Sequence, residues 1–324
     1  MILLIASTSS GGHFYPALHL GEALRYRGEE VLLAVFGNNM FEANEHWIFQ
    51  FNKIKSFKKF LLSRKTAIDV AISFGSRKVI VPSLVAKKYV RSLWVHEQNV
   101  IPGKANKFLF HFADRILLSF SGSEPFVPAK FLKKLVVIGY PVNEYYKKRC
   151  ENIEEIYKSW WIPKEAKIVV FSGGSKGSLE INVIASAFIT RLIDRKIDNV
   201  YVIWQRGQED ILMYGYKGLV FKFSADLICF YNIADLVVSR SGAGTIAELV
   251  FLNKRAIVVP LRGMAGDHQY FNAIYSGYPV YNVDQLIFDT IYSVLLDEDS
   301  ALPNNTKLRL MDYQQLLNLV YGRD

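Results

Sequence analysis

Short apolar runs alternate with amphipathic stretches along the first half of the chain. The first run, Ile2–Ala6, precedes a turn of serine and glycine, and residues 16–26 then place apolar side chains at helical spacing. Further strands are predicted at 31–35, 70–73, 92–95, 115–119 and 135–138. Strands that alternate with helices are typical of a parallel sheet covered on both faces.

The same pattern restarts near residue 167. An apolar strand at 167–171 is followed by a Gly-rich turn and by a helix predicted over 179–192. Further strands are predicted at 200–204, 219–221, 236–239 and 256–260. We therefore predict an α/β protein with two parallel-sheet domains, 1–143 and 144–305, and a closing C-terminal helix within 306–324. Ligands bind at the carboxyl ends of such strands, so we expect a ligand cleft between the domains.

Charge is distributed unevenly between the two halves. The 324-residue chain has a net charge of +9, and residues 1–143 carry 19 Lys/Arg against 9 Asp/Glu. The remainder carries 20 against 21. The first half is therefore expected to face an anionic partner, either nucleic acid or lipid headgroups. The chain shows no nucleic-acid-binding motif. Two of its Gly-rich loops lie in the second half, which is nearly neutral, so nucleic acid is not expected as the partner.

A basic segment within the first half gives the lipid hypothesis a location. Residues 52–65 contain six basic residues and no acidic one, with Phe57 and Phe60 among the interleaved apolar residues. Such a segment can lie at a lipid interface. The alternative is a helix with a packed apolar face and a solvated basic face. No apolar run reaches the roughly 18–20 residues of a spanning helix, so we expect at most peripheral attachment.

Cysteine usage and the start of the chain suggest a cytoplasmic protein. Cys150 and Cys229 are far apart and form neither a disulfide framework nor a metal-ligand spacing, so reduced thiols are expected. Met1 leads directly into the first strand without a signal peptide. The chain has no Asp-x-Asp motif and no His/Cys cluster, so no metal site is expected.

Three Gly-rich turns join a strand to a helix, at 8–13, 172–177 and 239–245. Glycine lets a backbone approach a ligand closely, and a helix N-terminus offers free N–H groups, although each turn can also be purely structural. The second turn suits a diphosphate but lacks the ending of an ATP-binding loop. The third leads into a helix with Glu248 in its predicted first turn, where it either accepts ribose hydroxyls or complements the helix dipole.

Polar side chains follow two further strands. His96-Glu-Gln-Asn99 comes after the strand at 92–95, and a second cluster occupies 266–272. Such residues are costly in a fold unless they are exposed or paired, and at a cleft they suit a polyhydroxylated or diphosphate ligand. His13, in the first Gly-rich turn, is a candidate base because histidine titrates near neutral pH.

Six motifs spread over nearly the whole chain occur in a specific order. They are Ser-Gly-Gly-His-x-x-Pro (10–16), His-Glu-Gln-Asn with Pro-Gly-x-x-Asn (96–106), Gly-Tyr-Pro-Val (139–142), Gly-Gly-Ser-x-Gly (173–177), Ala-Asp-x-x-x-Ser-Arg-Ser-Gly-Ala (234–243) and Asp-His-Gln-x-x-Asn-Ala (267–273). Together they resemble the MurG family of bacterial peripheral-membrane transferases, which convert lipid I to lipid II in peptidoglycan synthesis. Each motif is weak alone, but six in order are specific.

The resemblance implies the GT-B fold, with two Rossmann-like domains and a C-terminal half that binds the donor UDP-N-acetylglucosamine. It assigns donor contacts to seven residues of that half. They are Ser175 for the diphosphate, the backbone amides of Ala243, Gly244 and Thr245 for phosphate, Glu248 for the ribose hydroxyls, Gln269 for the sugar, and the backbone of Ser224 for uracil.

The resemblance also places the undecaprenyl-diphosphate-linked acceptor on the first half. Ser10, Gly11, Gly12 and Asn99 would face the donor sugar, while His13, Glu97, Asn99 and Asn106 would contact the acceptor. His13 would be the base or an electrostatic helper of the attacking hydroxyl, in an inverting reaction without cofactor or metal. The implied location is the cytoplasmic face of the cell membrane.

Departures from the family pattern fall mainly on the acceptor side. Ser7-Thr-Ser-Ser-Gly-Gly-His13 stands where Gly-Gly-Thr-Gly-Gly-His is frequent, and Asn143 replaces a common arginine expected to meet diphosphate. Either Asn143 acts through hydrogen bonds or a cation such as Arg206 or Lys176 takes over. The alternatives are another GT-B UDP-sugar transferase or an epimerase, and a non-catalytic sugar-nucleotide or nucleic-acid binding protein.

Overall fold

The protein divides into two compact units, residues 1–143 with 307–324 and residues 144–306. The computed structural model describes residues 1–8, 11–37, 45–64, 67–143, 150, 152–174, 177–209, 215–224, 226–263 and 266–323. Each unit contains one parallel sheet, so the predicted α/β class and the two-sheet architecture are confirmed.

The first unit is built on a seven-stranded sheet in the order β3-β2-β1-β4-β5-β6-β7. The strands are β1 Ile2–Ser7, β2 Val31–Phe36, β3 Ile48–Phe51, β4 Val70–Ser73, β5 Ser92–Glu97, β6 Arg115–Leu118 and β7 Leu135–Val137. Every neighbouring pair is parallel. β1 and β2 are buried along their whole length, and all their residues except Ser7 are apolar, as expected for strands covered by helices on both faces.

Four α-helices follow strands of this sheet, namely α1 Gly11–Tyr26, α2 Ile54–Leu62, α3 Ile80–Ala86 and α4 Lys104–Leu109. Short 3-10 helices lie at 77–79, 124–126 and 129–134. Helix α1 begins at Gly11 rather than near the predicted Pro16, which lies inside the helix. Gly11, Gly12 and His13 therefore form the first turn of α1 directly after β1.

The second unit contains a five-stranded parallel sheet in the order β10-β9-β8-β11-β12. Its strands are β8 Lys167–Ser172, β9 Val200–Gln205, β10 Gly218–Phe221, β11 Leu236–Arg240 and β12 Ala256–Val259. Its helices are α5 Ile153–Ser159, α6 Leu179–Asp194, α7 Leu227–Ile233, α8 Ala243–Phe251, α9 His268–Ser276 and α10 Phe288–Leu296, with a 3-10 turn at 283–285. Two buried apolar clusters cover the two faces of this sheet.

The chain returns to the first unit at its end. Phe120 and Tyr140 form isolated bridges with residues 308 and 310, and helix α11, Tyr313–Tyr321, follows. The hydroxyl of Tyr313 donates to the Val142 carbonyl at 2.7 Å. Gly139 is essential to this join because a β-carbon there would lie 2.4 Å from the carbonyl oxygen of Leu310, and its φ of +99° is left-handed.

The expectation of two reduced thiols is wrong for this structure. Cys150 and Cys229 form a disulfide across a sequence separation of 79 residues. Helix α7 carries Cys229 to the position of Cys150, where both pack with Ile228 in a small buried cluster. Sequence spacing alone could not show this contact, because it depends on how the second unit folds.

Helix α2 uses the aromatic residues of the basic segment for packing. Phe57 is buried against Phe36 and Phe51, and Phe60 lies between Phe51 and the guanidinium of Arg64. The lysines of α2 stay exposed. The aromatic face is therefore packed, while Ile54 and Leu62 stay exposed beside the lysines, and the lipid interpretation of the segment stays a prediction. Among the described residues, no helix is long and apolar enough to cross a bilayer.

Candidate active site

His13 lies in the first turn of α1 and is partly exposed. Its Nδ1 atom is buried and has no hydrogen-bond partner among the described residues. A methyl group added at Gly75 would lie 3.3 Å from this atom and 3.1 Å from Oδ1 of Asn106. The fold therefore brings the ends of β1 and β4 and the helix α4 together around Gly75.

Glu97 anchors the loop that follows β5. Its side chain is buried, and its carboxylate accepts hydrogen bonds from the backbone and side chain of Asn99, at 2.9 and 3.2 Å. It also accepts from the backbone N–H of Gly103 at 3.0 Å and from Asn106 at 2.8 Å. These four bonds fill the acceptor sites of the carboxylate, so Glu97 fixes the positions of Asn99 and Asn106 and keeps no free acceptor site of its own.

His96 is a structural histidine. Its ring stacks on Phe74 with centroids 5.1 Å apart. Nε2 donates to the carbonyl of Gly139 at 3.0 Å, and Nδ1 accepts from the amide of Gln98 at 3.1 Å. Burial lowers the pKa of His96 to about 4, against the smaller opposing effect of the bond to Gly139. His96 is neutral at physiological pH and both nitrogens are occupied, which leaves His13 as the histidine open to a ligand near Gly75.

The turn before α1 is partly described. Gly12 is exposed, and a methyl group added there would meet nothing within 4 Å, so its backbone is accessible to a ligand. Gly11 is partly exposed at the helix N-terminus, where unpaired N–H groups favour an anion. Ser10 lies outside the described residues.

The backbone of the Gly-rich turn after β8 is tightly packed at Gly173 and Gly177. A β-carbon at Gly173 would lie 2.3 Å from the backbone nitrogen of Ser178, and one at Gly177 would lie 2.6 Å from the carbonyl oxygen of Arg206. Gly177 also has a left-handed φ of +80°. Ser175 and Lys176 lie outside the described residues.

Gln205 connects this turn to the predicted uracil loop. The side chain is fully buried at the end of β9, and its amide nitrogen donates to the Gly174 carbonyl at 3.1 Å. Its amide oxygen accepts from the backbone N–H of Ser224 at 3.1 Å. The N–H of Ser224 is therefore engaged, and a base would meet the carbonyl of this residue. Gln205 is not among the predicted site residues, although a glutamine that ends an apolar strand is a visible signal in the sequence.

Helix α8 begins at Ala243, with Gly242 as its N-cap. Ala243, Gly244 and Thr245 form its first turn, where backbone N–H groups have no partner within the helix. Glu248 consequently lies in the second turn. Dipole complementation is confined to the first turn, so the structure weakens that explanation for Glu248.

Glu248 is partly buried. Burial raises its pKa to about 7. Burial also raises the pKa of the neighbouring Tyr231, with the charge of Glu248 contributing. Such a raised pKa beside a Gly-rich helix N-terminus is typical of a ligand-binding carboxylate.

Gln269 lies at the start of α9, where Ser241 and Asn272 also converge. Its backbone carbonyl accepts from the Ser241 hydroxyl at 2.7 Å, and its side-chain oxygen accepts from the Leu261 N–H at 3.0 Å. The amide of Asn272 donates to the Ser241 carbonyl at 3.3 Å. These bonds hold α9 against the loop after β11, so Gln269 and the N-terminus of α8 have fixed relative positions.

Arg240 is a second residue of this region that sequence analysis left without a role. It is buried at the end of β11, where Nε donates to the Ser178 hydroxyl at 2.9 Å and one terminal nitrogen to the Val259 carbonyl at 3.2 Å. It pairs with Glu180 at 2.5 Å. The guanidinium therefore joins the end of the Gly-rich turn after β8 to β11 and β12.

We expect Arg240→Met to lower the free energy of unfolding by about 3 kcal/mol, because it leaves buried acceptors and a carboxylate without their donor. Thermal and urea unfolding would measure the change. The matched control is Arg191→Met, which removes an exposed arginine from a surface pair and should cost less than about 0.5 kcal/mol. Equal stability of the two variants would contradict the anchoring role.

Asn143 is buried and pairs with a side chain of its own unit. Its amide donates to Glu22 at 2.5 Å. Burial raises the pKa of Glu22, and the bond from Asn143 partly offsets that effect. Of the two cations that could replace the family arginine, Lys176 lies outside the described residues, and Arg206 follows β9 beside the Gly-rich turn after β8. In the parts of the chain that the structure describes, no group of three acidic, histidine or cysteine residues suits a metal ion.

Each of the two units is similar to a domain of known glycosyltransferases. Models of the N-terminal and C-terminal domains of glycosyltransferase family 28 match residues 36–118 and 168–277. The structure of Acinetobacter baumannii MurG is similar with a TM-score of 0.65 at 19% identity, over 99% of both chains. A UDP complex of S. aureus MnaA gives 0.66 at 12% identity, over 99% of this chain and 96% of that one.

Curated relatives define the group more closely. Two enzymes named UDP-N-acetylglucosamine–N-acetylmuramyl-(pentapeptide) pyrophosphoryl-undecaprenol N-acetylglucosamine transferase match most of the chain. The one from Elusimicrobium minutum is 32% identical over 84% of this chain and 81% of its own length, and the one from Rickettsia felis is 31% identical over 84% and 82%.

The fold and the matched domains define a GT-B glycosyltransferase of family 28. Within that class, the chain belongs to the MurG family. The resemblance inferred from six ordered motifs is thereby confirmed, and so is the expectation of a UDP-N-acetylglucosamine-dependent hexosyltransferase. The roles of individual site residues stay predictions.

Proposed function

We propose that this chain transfers N-acetylglucosamine from UDP-N-acetylglucosamine to lipid I and so forms lipid II in peptidoglycan synthesis. The observation that carries the proposal is the match, over more than four-fifths of the chain, to relatives whose printed name states this transfer. The geometry of both units is consistent with it. In each unit a strand, β1 or β11, is followed by a Gly-rich turn that leads into a helix, and a titratable side chain, His13 or Glu248, lies in that helix.

The second unit is proposed to bind the donor, within residues 144–305. The N–H groups of Ala243, Gly244 and Thr245 would contact the diphosphate together with Ser175. Glu248 would accept both ribose hydroxyls, Gln269 would contact the sugar, and Ser224 would meet uracil. Because the helix N-terminus supplies positive potential to the leaving diphosphate, the proposed reaction uses no metal or cofactor.

The first unit, residues 1–143, is proposed to bind the acceptor, with the helix of 306–324 packed on it. The muramyl 4-hydroxyl attacks the anomeric carbon and transfers its proton to His13. The bond from that carbon to the β-phosphate oxygen breaks, UDP leaves, and the configuration inverts. Ser10, Gly11, Gly12 and Asn99 would face the sugar, while Glu97 would hold Asn99 and Asn106 for the acceptor.

Transfer of labelled N-acetylglucosamine to a lipid I analogue would test the proposal. We expect UDP release and labelled lipid to appear in equal amounts, also in the presence of a metal chelator. A panel of other lipid and soluble acceptors serves as the control. Release of a C2 epimer from the donor, or transfer to another acceptor in preference to lipid I, would favour the alternative functions.

We propose further that the first unit attaches peripherally to an anionic membrane, at its cytoplasmic face. Residues 77–112 contain seven Lys/Arg and one acidic residue, the buried Glu97. On α3, α4 and the turn after α4, the apolar side chains of Val81, Phe108 and Phe112 are exposed. This surface, residues 77–112, combines cations with exposed apolar side chains, two of them aromatic, whereas the exposed apolar side chains of α2, Ile54 and Leu62, are aliphatic.

Sedimentation with vesicles that contain phosphatidylglycerol would test this attachment. We expect salt-sensitive binding that Phe108→Ser with Phe112→Ser weakens about tenfold, because two partly inserted rings are lost. The matched comparison is Lys55→Ser with Lys59→Ser on α2, which should weaken binding less. Binding that ignores salt and both pairs of changes would contradict the proposal.

A further inference from the structure

The side chain of Gln205 links two loops of the second unit. It lies fully buried at the end of β9, and its amide nitrogen donates to the Gly174 carbonyl at 3.1 Å. Its amide oxygen accepts from the backbone N–H of Ser224 at 3.1 Å. Gly174 belongs to the Gly-rich turn after β8, and Ser224 belongs to the loop after β10. One amide group therefore ties the turn proposed to hold the donor diphosphate to the loop proposed to meet its uracil.

The orientation of the Gln205 amide is fixed at both ends. The Gly174 carbonyl only accepts a hydrogen bond and the Ser224 N–H only donates one, so a flipped amide would lose both bonds. A neutral amide offers a donor and an acceptor on one rigid plane. Leucine offers neither, and an ionised glutamate would turn an acceptor oxygen toward the Gly174 carbonyl. Glutamine therefore satisfies both loops, whereas these two residues of similar size do not.

Further hydrogen bonds order the backbone within each loop. The Gly174 carbonyl also accepts from the Gly177 N–H at 3.0 Å, and the Gly174 N–H donates to the Ser172 hydroxyl at 3.3 Å. In the other loop, the Ser224 hydroxyl accepts from the Asp226 N–H at 3.0 Å. Two ordered loops that share one buried amide keep a constant separation, so a shift of one loop is passed to the other.

The Gly-rich turn is open to a ligand at Gly174. The φ of this residue, +81°, is left-handed, and a methyl group added there would meet nothing within 4 Å. A ligand can therefore approach the turn at this position while Gln205 holds the carbonyl. The base and the phosphates of a nucleoside diphosphate lie at opposite ends of the ribose, so such a ligand engages both loops at once. Its affinity depends on the separation of the loops as well as on each loop alone.

We propose that Gln205 is a positioning residue for the donor: it holds the Gly174 turn and the Ser224 loop at the separation that a uridine diphosphate spans. The inference rests on the proposed function, in which these two loops bind the diphosphate and the uracil. Because Gln205 is fully buried and both ends of its amide are engaged, it acts through the loops and not by contact with the donor.

Calorimetric titration of the whole chain with UDP-N-acetylglucosamine would test the proposal. We expect Gln205→Leu, which loses both bonds at similar size, to raise the Kd about tenfold, because a loosened site loses the benefit of pre-organisation. The matched control is Tyr216→Phe, which removes hydroxyl bonds to the carbonyls of Ile197 and Val200 at the opposite end of β9. It weakens the same strand without touching either loop, so its Kd should match that of the unmodified protein. An unchanged Kd in Gln205→Leu, or an equal rise in both variants, would overturn the inference.

Gln205→Glu gives a reading that a general loss of stability would not produce. The protonated acid can donate to the Gly174 carbonyl and accept from the Ser224 N–H as the amide does, whereas the ionised acid repels the carbonyl. We therefore expect the Kd of Gln205→Glu, measured in Glu248→Gln to remove the titration of that carboxylate, to fall about tenfold between about pH 8 and pH 5, since burial raises the pKa of a carboxyl group.

The parent Glu248→Gln serves as the control for this pH profile. Arg206, Lys222 and Asp226, the charged sequence neighbours of residue 205 and of Ser224, are present in both proteins, so a difference between the profiles belongs to residue 205. The Kd of the parent should stay constant over the same range. Parallel profiles in the two proteins would contradict the proposal.

Transfer kinetics separate this inference from the proposed function. We expect Gln205→Leu to raise the KM of UDP-N-acetylglucosamine about tenfold and to leave kcat within about threefold, because the lost interaction serves binding. If that change appeared but the sugar went to an acceptor other than lipid I, the proposed function would fail and the role of Gln205 would stand. If lipid I were the acceptor and Gln205→Leu left the KM unchanged, the role of Gln205 would fail and the proposed function would stand.

Discussion

Replacing His13 with alanine lowers kcat by about 10²–10⁴-fold, the contribution of a positioned general base, and leaves the KM of UDP-N-acetylglucosamine within a few-fold. The physical reason is that His13 is the histidine whose ring remains partly exposed beside Gly75, whereas His96 is buried with both nitrogens bonded. Most of the residues predicted to contact the donor lie in the second unit, so donor affinity is expected to persist. Steady-state kinetics with both substrates varied would measure the split.

The matched control is His46→Ala, which removes an exposed histidine bonded only at the surface to Arg25, 3.2 Å away. It should leave kcat unchanged. His13→Gln distinguishes a base from an electrostatic helper, because glutamine keeps hydrogen-bonding capacity but accepts no proton at neutral pH. Full activity of His13→Gln would exclude general-base catalysis by this residue, and full activity of His13→Ala would remove it from the site.

The strands of both sheets were largely predictable because each is a short apolar run between turn signals. Eleven of the twelve were predicted to within two residues at either end, for instance Val70–Ser73. The exception is β3, Ile48–Phe51, whose exposed Gln50 and short length give no continuous apolar run. Helix starts were less predictable: α1 begins at Gly11 and α8 at Ala243, which lies between two glycines, and glycine has poor intrinsic helix propensity.

Candidate site residues were predictable where they lie next to a recognisable sequence motif. Residues that only hold other site residues in place, by buried hydrogen bonds, were not predictable. Glu248 and His13 follow Gly-rich turns, which draws attention to them. Gln205 and Arg240 have their effect through buried hydrogen bonds that only the fold reveals. The pairing of Cys150 with Cys229 is hidden for the same reason, because 79 residues separate the partners.

Replacing Glu248 with alanine raises the Kd of UDP-N-acetylglucosamine about 100-fold. Two hydrogen bonds from ribose hydroxyls to a charged acceptor are lost, and bonds to charged groups are worth about 1.5–3 kcal/mol each, of which 2.7 kcal/mol corresponds to this factor. Calorimetric titration of the donor would measure the change. The matched control is Glu165→Ala, an exposed glutamate of the same unit, which should bind the donor as the unmodified protein does.

The raised pKa of Glu248, about 7, adds a pH dependence with a definite sign. The ionised carboxylate is the better acceptor for ribose hydroxyls, so donor affinity should fall as pH decreases below about 7. The donor diphosphate does not titrate in this range, and Glu248→Gln should abolish the dependence. Affinity that is flat in pH for the unmodified protein, or equally steep in Glu248→Gln, would place Glu248 away from the ribose.

The free energy of unfolding should also depend on the ionisation of Glu248, but it should fall as pH rises, whereas donor affinity should rise. Between its usual pKa of 4.5 and the raised value of about 7, the folded protein holds a proton on Glu248 that the unfolded chain has released. The contribution of Glu248 is therefore fully present below about pH 4.5 and is lost as pH rises through 7, by no more than about 3 kcal/mol. Urea unfolding of Glu248→Gln should lack this loss. The ionised form of Glu248 would therefore bind ribose best and also destabilise the fold. This combination is expected of a carboxylate kept for function rather than for stability.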